Sequence, residues 1–371
     1  MSRTRRLRQS FVWIAVLAVL LAAGCERPAE TPSSLEPRSR PDSRVLSGAG
    51  ATFPAPIYER WFERFPQTTD GAGVDVRYEA VGSGKGIAAF TEERVDFGAT
   101  DVPLNPEELA KAEAAGGQVI HIPTVLGAIT VVYNLPGSPR LRMDAELIAG
   151  LFLGEITTWQ DPRIAALNPT ASLPDLPVSV VHRSDSSGTT ANFTSFLTDQ
   201  APDFARRVGQ GKVVEWVTGT GADGNDGVAG AVKQTSGAIG YVELTYAIEE
   251  RLAVADVENI AGEFVSPTPQ TVASAAEDIS LASVGDFALS LLHTTGRGAY
   301  PISSYTYLIV FAEQDDPEKG RLLADLLAYM TGPGQASAGR LHYTPIPRDL
   351  RGSVAAKIRL LHAPDGRQLA S

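Results

Sequence analysis

The sequence predicts an α/β protein with two lobes, and three observations support this. Segments with strand and helix patterns alternate over more than 300 residues, which favours α/β architecture. The chain of 371 residues is long enough for about two packed domains. A composition of 43% hydrophobic and 20% charged residues excludes a disordered or fibrous protein.

The chain begins with the pattern of a secretion signal. Four arginines within residues 3–8 precede an apolar stretch, residues 11–23, and small residues follow at a cleavage site. This stretch is shorter than the roughly 20 residues that a membrane-spanning helix needs. The only cysteine, Cys25, comes next, and residues 22–25 resemble a bacterial lipobox, with Ala22 where Leu is commonest. We therefore expect 1–25 to be a lipoprotein signal peptide that leaves Cys25 lipidated, rather than an ordinary signal peptide with an accidental cysteine.

Composition limits the remaining possibilities. Residues 26–44 are rich in Pro, Ser and Glu, which is typical of a flexible tether, and globular sequence begins at about Val45. The chain has 43 acidic and 32 basic residues, a net charge of -11, which argues against nucleic acid as a partner. A small ligand or a protein is the favoured partner, and a single cysteine excludes an internal disulfide.

Local patterns place strands and helices along the chain. Period-two alternation predicts a strand over residues 74–81. Asn105 as a cap and Pro106 at the first helical position predict a helix that ends before Gly116, and Asp144 precedes a helix over 145–153. Further strands are predicted at 178–183, 238–243 and 305–311.

Three times, a strand runs into a small polar loop and then a helix. The loops lie within residues 46–53, 82–86 and 183–190. The first N–H groups of a helix lack internal partners and carry partial positive charge, so an oxyanion fits there. Glycine allows close approach, while Ser and Thr add hydroxyl donors. One such loop is an ordinary helix cap, but three together with Arg183 predict a site for a tetrahedral anion.

The spacing of the residues argues against a nucleotide, hydrolase or metal site. Residues 48–53 lack the third glycine of a dinucleotide fingerprint, and 82–86 lack the ending of a P-loop. No G-x-S-x-G motif occurs, and the five histidines show no metal-ligand spacing. We therefore expect no cofactor, metal or catalytic residue. His182 beside Arg183 is a possible base for Ser187, although adjacent strand residues point to opposite faces.

Several motifs together resemble the phosphate-binding protein of bacterial phosphate ABC transporters, the PstS family. They keep the family's order from about residue 46 to 347. The matching segments are 48–56, 95–101, 154–161, 167–169, 183–189, 224–227 and 237–243.

The resemblance implies a hinged, two-lobed periplasmic-binding-protein fold of type II, in which each lobe is a mixed sheet flanked by helices. Lobe I is expected at 45–126 and 300–371 and lobe II at 127–299, with hinges near Leu126 and Ala299. The implied function is to bind inorganic phosphate in the cleft and deliver it to permease subunits of an ABC transporter. We expect an exported monomer, periplasmic or at the cell surface, attached to a membrane by the lipid on Cys25.

The resemblance also implies which residues contact phosphate. By position they are Thr52, Phe53, Ser83, Asp101, Arg183, Asp185, Ser187, Gly188 and Thr189. Arg183 is the only obligate cation among them, and its planar guanidinium suits two phosphate oxygens. Asp185 is expected either to pair with and orient Arg183 or to cap the following helix.

Asp101 is the residue expected to select the anion. A carboxylate beside a bound dianion is costly unless a proton lies between them, and phosphate carries such a proton near neutral pH whereas sulfate does not. Otherwise Asp101 is a turn or cap residue before Pro103. A binding protein for sulfate or molybdate is one alternative function, and a secreted phosphoesterase or hydrolase that uses Ser187 is another.

Two groups of residues are expected to lie outside the ligand site. Lys85 stands where relatives more often have a small residue, and we favour a solvated helix start over a role in attracting the ligand at the cleft rim. The spacing of Trp61, Trp159 and residues 305–307 is typical of core packing.

Overall fold

The computed structural model describes residues 44–277, 290–292, 294 and 296–370. The predicted signal peptide with Cys25, and all of the predicted tether except Arg44, lie outside the described residues. Within the described part of the chain, no helix has both the length and the apolar character needed to cross a membrane.

Two sheets contain the strands. The strands are β1 (Val45–Gly50), β2 (Asp75–Ala80), β3 (Phe97–Thr100), β4 (Val119–Tyr133), β5 (Arg142–Met143), β6 (Ser179–Arg183), β7 (Thr220–Ala222), β8 (Ala238–Glu243), β9 (Ala253–Val254), β10 (Asp256–Glu258), β11 (Phe264–Val265) and β12 (Ser303–Phe311). The larger, nine-stranded sheet has the order β2-β1-β3-β12-β4-β8-β6-β7, with β9 also paired to β4, and the smaller has the order β11-β10-β5.

Helices follow most of the strands. They are α1 (Ala55–Arg64), α2 (Ser83–Thr91), α3 (Pro106–Gly116), α4 (Ala145–Phe152), α5 (Pro162–Leu167), α6 (Gly188–Gln200), α7 (Pro202–Arg207), α8 (Gly224–Gln234), α9 (Leu244–Glu249), α10 (Pro269–Glu277), α11 (Pro317–Thr331) and α12 (Arg351–Ile358). Two 3-10 helices cover Phe65–Gln67 and Pro333–Leu341.

Strand β4 belongs to both halves of the large sheet. Every one of its 15 residues is buried. Its first part, 119–128, pairs antiparallel with β12, and its last part, 129–133, pairs antiparallel with β8. The strands β1, β2 and β3 therefore lie on one side of β4 and β6, β7 and β8 on the other.

The predicted elements occur close to their expected positions. The strand expected at 74–81 is β2, the one at 238–243 is β8, and the one at 305–311 is β12, which begins two residues earlier. Asn105 caps α3 in a capping box with Glu108, and Asp144 caps α4. The predicted helix ends differ by one residue, since α3 includes Gly116 and α4 ends at Phe152.

Large aromatic side chains fill the core. Trp61 and Trp159 are fully buried, and each indole N–H donates to a backbone carbonyl oxygen, that of Gly334 at 2.8 Å and that of Gly237 at 2.9 Å. Burying a large apolar side chain contributes roughly 2–3 kcal/mol. The packing role predicted for the two tryptophans is confirmed.

Candidate anion-binding site

Three helix N-termini carry the candidate site. Helix α1 follows β1 through residues 51–54, α2 follows β2 through 81–82, and α6 follows β6 through 184–187. Ser187 caps α6, because its Oγ accepts a 3.1 Å hydrogen bond from the N–H of Thr190. Each terminus presents backbone N–H donors and partial positive charge.

The second and third loops are in direct contact. The N–H of Gly84 donates to the carbonyl oxygen of Ser186 at 2.9 Å, and the N–H of Gly188 donates to Ser83 Oγ at 3.1 Å. A Cβ at Gly188 would lie 2.7 Å from the Cβ of Asp101 and 2.8 Å from Ser83 Oγ. Only glycine therefore permits α6 to approach these two residues so closely.

Arg183 and Asp185 form a buried ion pair. Their side chains are 1% and 3% exposed. Arg183 Nε donates to Asp185 Oδ1 at 2.6 Å and Nη2 donates to Oδ2, while the N–H of Gly224 donates to Oδ1 at 3.2 Å. Burial opposes ionisation of Asp185, but the bonds and charge of Arg183 outweigh it and lower the pKa of this carboxyl. Among the described residues, Arg183 Nη1 is buried without a hydrogen-bond partner.

Asp101 is a buried carboxyl at the end of β3. It is 2% exposed, its Oδ1 accepts from Thr306 Oγ1 at 3.0 Å, and its Oδ2 accepts from Thr189 Oγ1 at 3.4 Å. Burial raises the pKa of Asp101 to about 7, against the opposing effects of the Thr306 hydrogen bond and the charge of Arg183. Its charge therefore changes near neutral pH.

The first loop is held by side chains from three later segments. Thr52 Oγ1 accepts hydrogen bonds from the side chain and the backbone N–H of Asn225, at 2.8 and 3.2 Å. The Tyr246 hydroxyl donates to the Thr52 carbonyl oxygen at 2.6 Å, and the Tyr343 hydroxyl donates to the Phe53 carbonyl oxygen at 2.6 Å. These contacts fix the backbone that leads into α1.

Comparison with known proteins places the chain in a family. The model of the PBP superfamily domain matches residues 33–333. The phosphate-binding protein PstS of Xylella fastidiosa is 37% identical over 330 residues, which cover 88% of this chain and 87% of that protein. The phosphate-binding protein PstS of Haemophilus influenzae is 37% identical over 314 residues, which cover 84% of this chain and 92% of that protein. The chain belongs to the PstS family of phosphate-binding proteins.

A solved structure has the same fold. PfluDING, described as a high-affinity periplasmic phosphate-binding protein bound with phosphate, matches with a TM-score of 0.67 at 24% identity. The match covers 84% of this chain and 93% of that chain. The predicted α/β fold of the periplasmic-binding-protein type is confirmed. The two PstS relatives confirm the recognition of the PstS family from the sequence.

The structure brings the predicted site residues of this PstS family member together. Contacts join Ser83 to Gly188, Asp101 to Thr189 and Arg183 to Asp185. Thr52 joins the group through Asn225, which also contacts Thr189. Asp185 pairs with Arg183 and does not cap α6, because Ser187 is the cap.

Two residues that contribute to the site were not predicted. Asn225 lies in the first turn of α8, which follows β7, so it has the same strand, loop and helix order as the three recognised loops. The sequence assigns no role to its motif, residues 224–227. Thr306 lies in the segment 305–307, for which the sequence predicted packing alone. Tyr305 and Tyr307 are indeed buried, but Thr306 hydrogen-bonds Asp101.

Lys85 and the histidines lie apart from the ligand chemistry. Lys85 is exposed in the first turn of α2, as expected for a solvated helix start. His182 is half-buried and stacks on Trp216, with ring centroids 5.0 Å apart. In the described residues Ser187 has no hydrogen bond to a histidine, and no group of three metal-ligating side chains occurs. The two PstS relatives are named as phosphate-binding proteins.

Proposed function

We propose that this protein binds inorganic phosphate between its three helix N-termini and delivers it to the permease subunits of an ABC transporter. The observation that carries the proposal is a cation and a proton acceptor in one buried site. Arg183 and the helix N-termini attract an anion. Asp101 then favours an anion that has a proton to donate.

The phosphate contacts in this proposal are the nine residues expected from the sequence. Thr52, Ser83, Ser187 and Thr189 offer hydroxyl groups, Phe53 offers its backbone N–H, Gly188 begins α6, and Arg183 is oriented by Asp185. The unpartnered Nη1 of Arg183 supports this role, because this buried guanidinium nitrogen can donate a hydrogen bond to a bound anion.

Domain closure is part of the proposal. We assign 45–126 and 300–371 to lobe I and 127–299 to lobe II, with hinges near Leu126 and Ala299. The change of partner along β4, from β12 to β8 after Ala128, supports a boundary there. Contacts of Ser83 with Gly188 and of Thr52 with Asn225 then join the two lobes, as in a closed form.

We propose export and membrane anchoring from the predicted signal peptide, residues 1–25. The mature protein begins at a lipidated Cys25, stays on a membrane surface outside the cytoplasm, and works as a monomer. Incorporation of labelled palmitate that is lost in Cys25→Ala tests the anchor, and an unlabelled wild-type protein contradicts it.

The proposed protein catalyses no reaction. The capping bond at Ser187 and the position of His182 against Trp216 leave no oriented Ser-His pair among the described residues. Turnover of a phosphomonoester that Ser187→Ala abolishes would favour the hydrolase alternative.

Calorimetric titration tests the ligand. We expect the chain without residues 1–25 to bind one phosphate near neutral pH and to give no signal with sulfate or molybdate. In Asp101→Asn, the ratio of phosphate affinity to sulfate affinity should fall by roughly tenfold or more, because the acceptor for the phosphate proton is weakened.

The other outcomes discriminate between the alternatives. If sulfate or molybdate binds and phosphate does not, the fold assignment stands but the ligand is a different oxyanion. Silence from all three anions favours the hydrolase alternative. An unchanged ratio in Asp101→Asn removes the selective role of Asp101.

A further inference from the structure

Asn225 lies between the first and third loops of the candidate site. It is fully buried in the first turn of α8. Its side-chain nitrogen Nδ2 is 2.8 Å from Thr52 Oγ1 and 3.4 Å from Thr189 Oγ1. Nothing in the ligand roles expected from the sequence uses this residue.

The orientation of the Asn225 amide follows from its third partner. The backbone N–H of Glu243 donates to Asn225 Oδ1 at 2.9 Å. Because an N–H needs an acceptor, the oxygen of the amide must face Glu243, and the nitrogen must face the two threonines. Both N–H groups of the amide are then directed at hydroxyl oxygens.

This arrangement restricts the Thr52 hydroxyl to the role of a donor. A hydroxyl oxygen has two acceptor positions and one proton. Thr52 Oγ1 accepts from Asn225 Nδ2 at 2.8 Å and from the Asn225 backbone N–H at 3.2 Å, so both acceptor positions are used. The remaining proton can only be donated. At Thr189 the hydroxyl oxygen also accepts from Asn225 Nδ2, but its proton is donated to Asp101 Oδ2.

We propose that Asn225 is a positioning residue that turns the hydroxyl proton of Thr52 toward the bound oxyanion. The inference rests on the proposed function. Asn225 itself does not contact the ligand, but it fixes the Thr52 donor before the ligand arrives, so less orientational freedom is lost on binding. By holding Thr52 from α8, it also connects the first loop to the third across the closed site.

A double-mutant cycle on ligand affinity tests this role. The variants are Asn225→Ala, Thr52→Val and the double variant, titrated with whichever of phosphate, sulfate or molybdate the wild type binds. Each single change should weaken binding by roughly ten- to hundred-fold, as expected for a hydrogen bond to a charged group. The double variant should be no more than about threefold weaker than the weaker single variant, because Asn225 acts through Thr52.

A second substitution at Asn225 separates a loss of binding from a failure to fold. Asn225→Asp keeps the oxygen that accepts from the N–H of Glu243 but replaces both donors with an acceptor. It should weaken binding as well, and the loss should again depend on the Thr52 hydroxyl. Simple charge repulsion by the new carboxylate would instead persist unchanged in Thr52→Val, so the cycle separates the two causes.

Asn168→Ala is the matched control. Asn168 is also a buried amide with an accepting oxygen and a donating nitrogen, and it joins α5 to β5 through Arg142. We expect this variant to lower the melting temperature and to leave ligand affinity unchanged.

Three results would overturn the inference. The first is unchanged ligand affinity in Asn225→Ala. The second is a loss of affinity in the double variant that equals the product of the two single losses. The third is failure of both Asn225 variants to fold, which would make the residue purely structural. A wild-type protein that binds none of the three anions overturns the proposed function together with the inference. Binding by the wild type with multiplying losses overturns the inference alone.

Discussion

At the scale of single residues, Asp101 links the site to pH. Its carboxyl has an ordinary pKa of 3.8 when exposed, and burial raises the pKa to about 7 in the folded protein. Below about pH 4 the carboxyl is protonated in both states. As pH rises toward 7, the unfolded chain releases the proton while the folded protein keeps it, so the free energy of unfolding falls. Above about pH 7 the folded protein releases the proton too, and the free energy of unfolding stops falling.

Asp101→Asn should therefore flatten the pH dependence of stability. Between pH 4 and pH 7 the free energy of unfolding of the wild type should fall by up to about 4 kcal/mol more than that of the variant. Glu243, a second buried carboxyl whose pKa is raised by burial, is present in both proteins, so the difference between them isolates Asp101. Urea unfolding of the ligand-free proteins from pH 4 to pH 8 measures this. Parallel profiles for the two proteins would contradict the expected shift.

Some site residues could be predicted from sequence and others could not. Arg183, Ser83 and Gly188 lie in loops whose Gly and hydroxyl content already indicates an anion site. The motif that contains Asn225 is visible in the sequence, but the role of Asn225 depends on which way its amide faces. That orientation is decided by a backbone N–H 18 residues away. Thr306 has the β-branched character of a strand residue, and its contact with Asp101 spans 205 residues.

At the scale of elements, an ion pair joins α3 to the segment that follows α7. Lys212 Nζ donates to both carboxylate oxygens of Glu108, at 2.5 Å to Oε2, and the two side chains are 14% and 23% exposed. The backbone oxygen of Lys212 also accepts from the N–H of Ser187 in the third loop. This pair therefore fastens α3, in proposed lobe I, to a loop of proposed lobe II.

Glu108→Gln should loosen the closed form. Gln keeps the capping box of α3, in which the side chain at position 108 accepts from the N–H of Asn105, but it cannot form the ion pair. A partly exposed pair contributes about 0.5–1 kcal/mol, so phosphate affinity should fall roughly two- to fivefold, mainly through faster release.

Stopped-flow release of phosphate measures this change. The control is Glu107→Gln, which breaks an exposed pair with Lys111 within the same helix and should leave the release rate unchanged. Equal release rates for the wild type and Glu108→Gln would show that the pair does not restrain opening.

The elements themselves differ in how far sequence determines them. Helix α3 was predicted because its cap, its proline and its acidic first turn are local signals. Strand β4 was not predicted, since all of its residues are buried and no alternation marks a face. Its partners are also remote, because β12 begins 170 residues after the end of β4. Pairing over such separations leaves no local pattern.

At the scale of the whole molecule, proposed closure depends on the absence of a side chain at Gly188. The contacts that a Cβ would make there, with Asp101 and Ser83, all belong to proposed lobe I, whereas Gly188 belongs to proposed lobe II. The clash therefore exists only when the lobes meet. An open molecule with alanine at this position has no such conflict, and α6 accepts alanine readily.

Gly188→Ala should fold normally and lose its response to phosphate. In the wild type, ligand at a hundredfold excess over Kd should add about 2.7 kcal/mol to the free energy of unfolding, and the melting temperature should rise accordingly. The variant keeps the N–H of residue 188, so a lost response reflects the closed approach rather than a missing donor. Gly230→Ala in α8 is the control, because a Cβ there meets nothing within 4 Å, and its phosphate response should match the wild type. A full response in Gly188→Ala would mean that phosphate binds without the contact of α6 with Asp101, and the proposed link between binding and closure would fail.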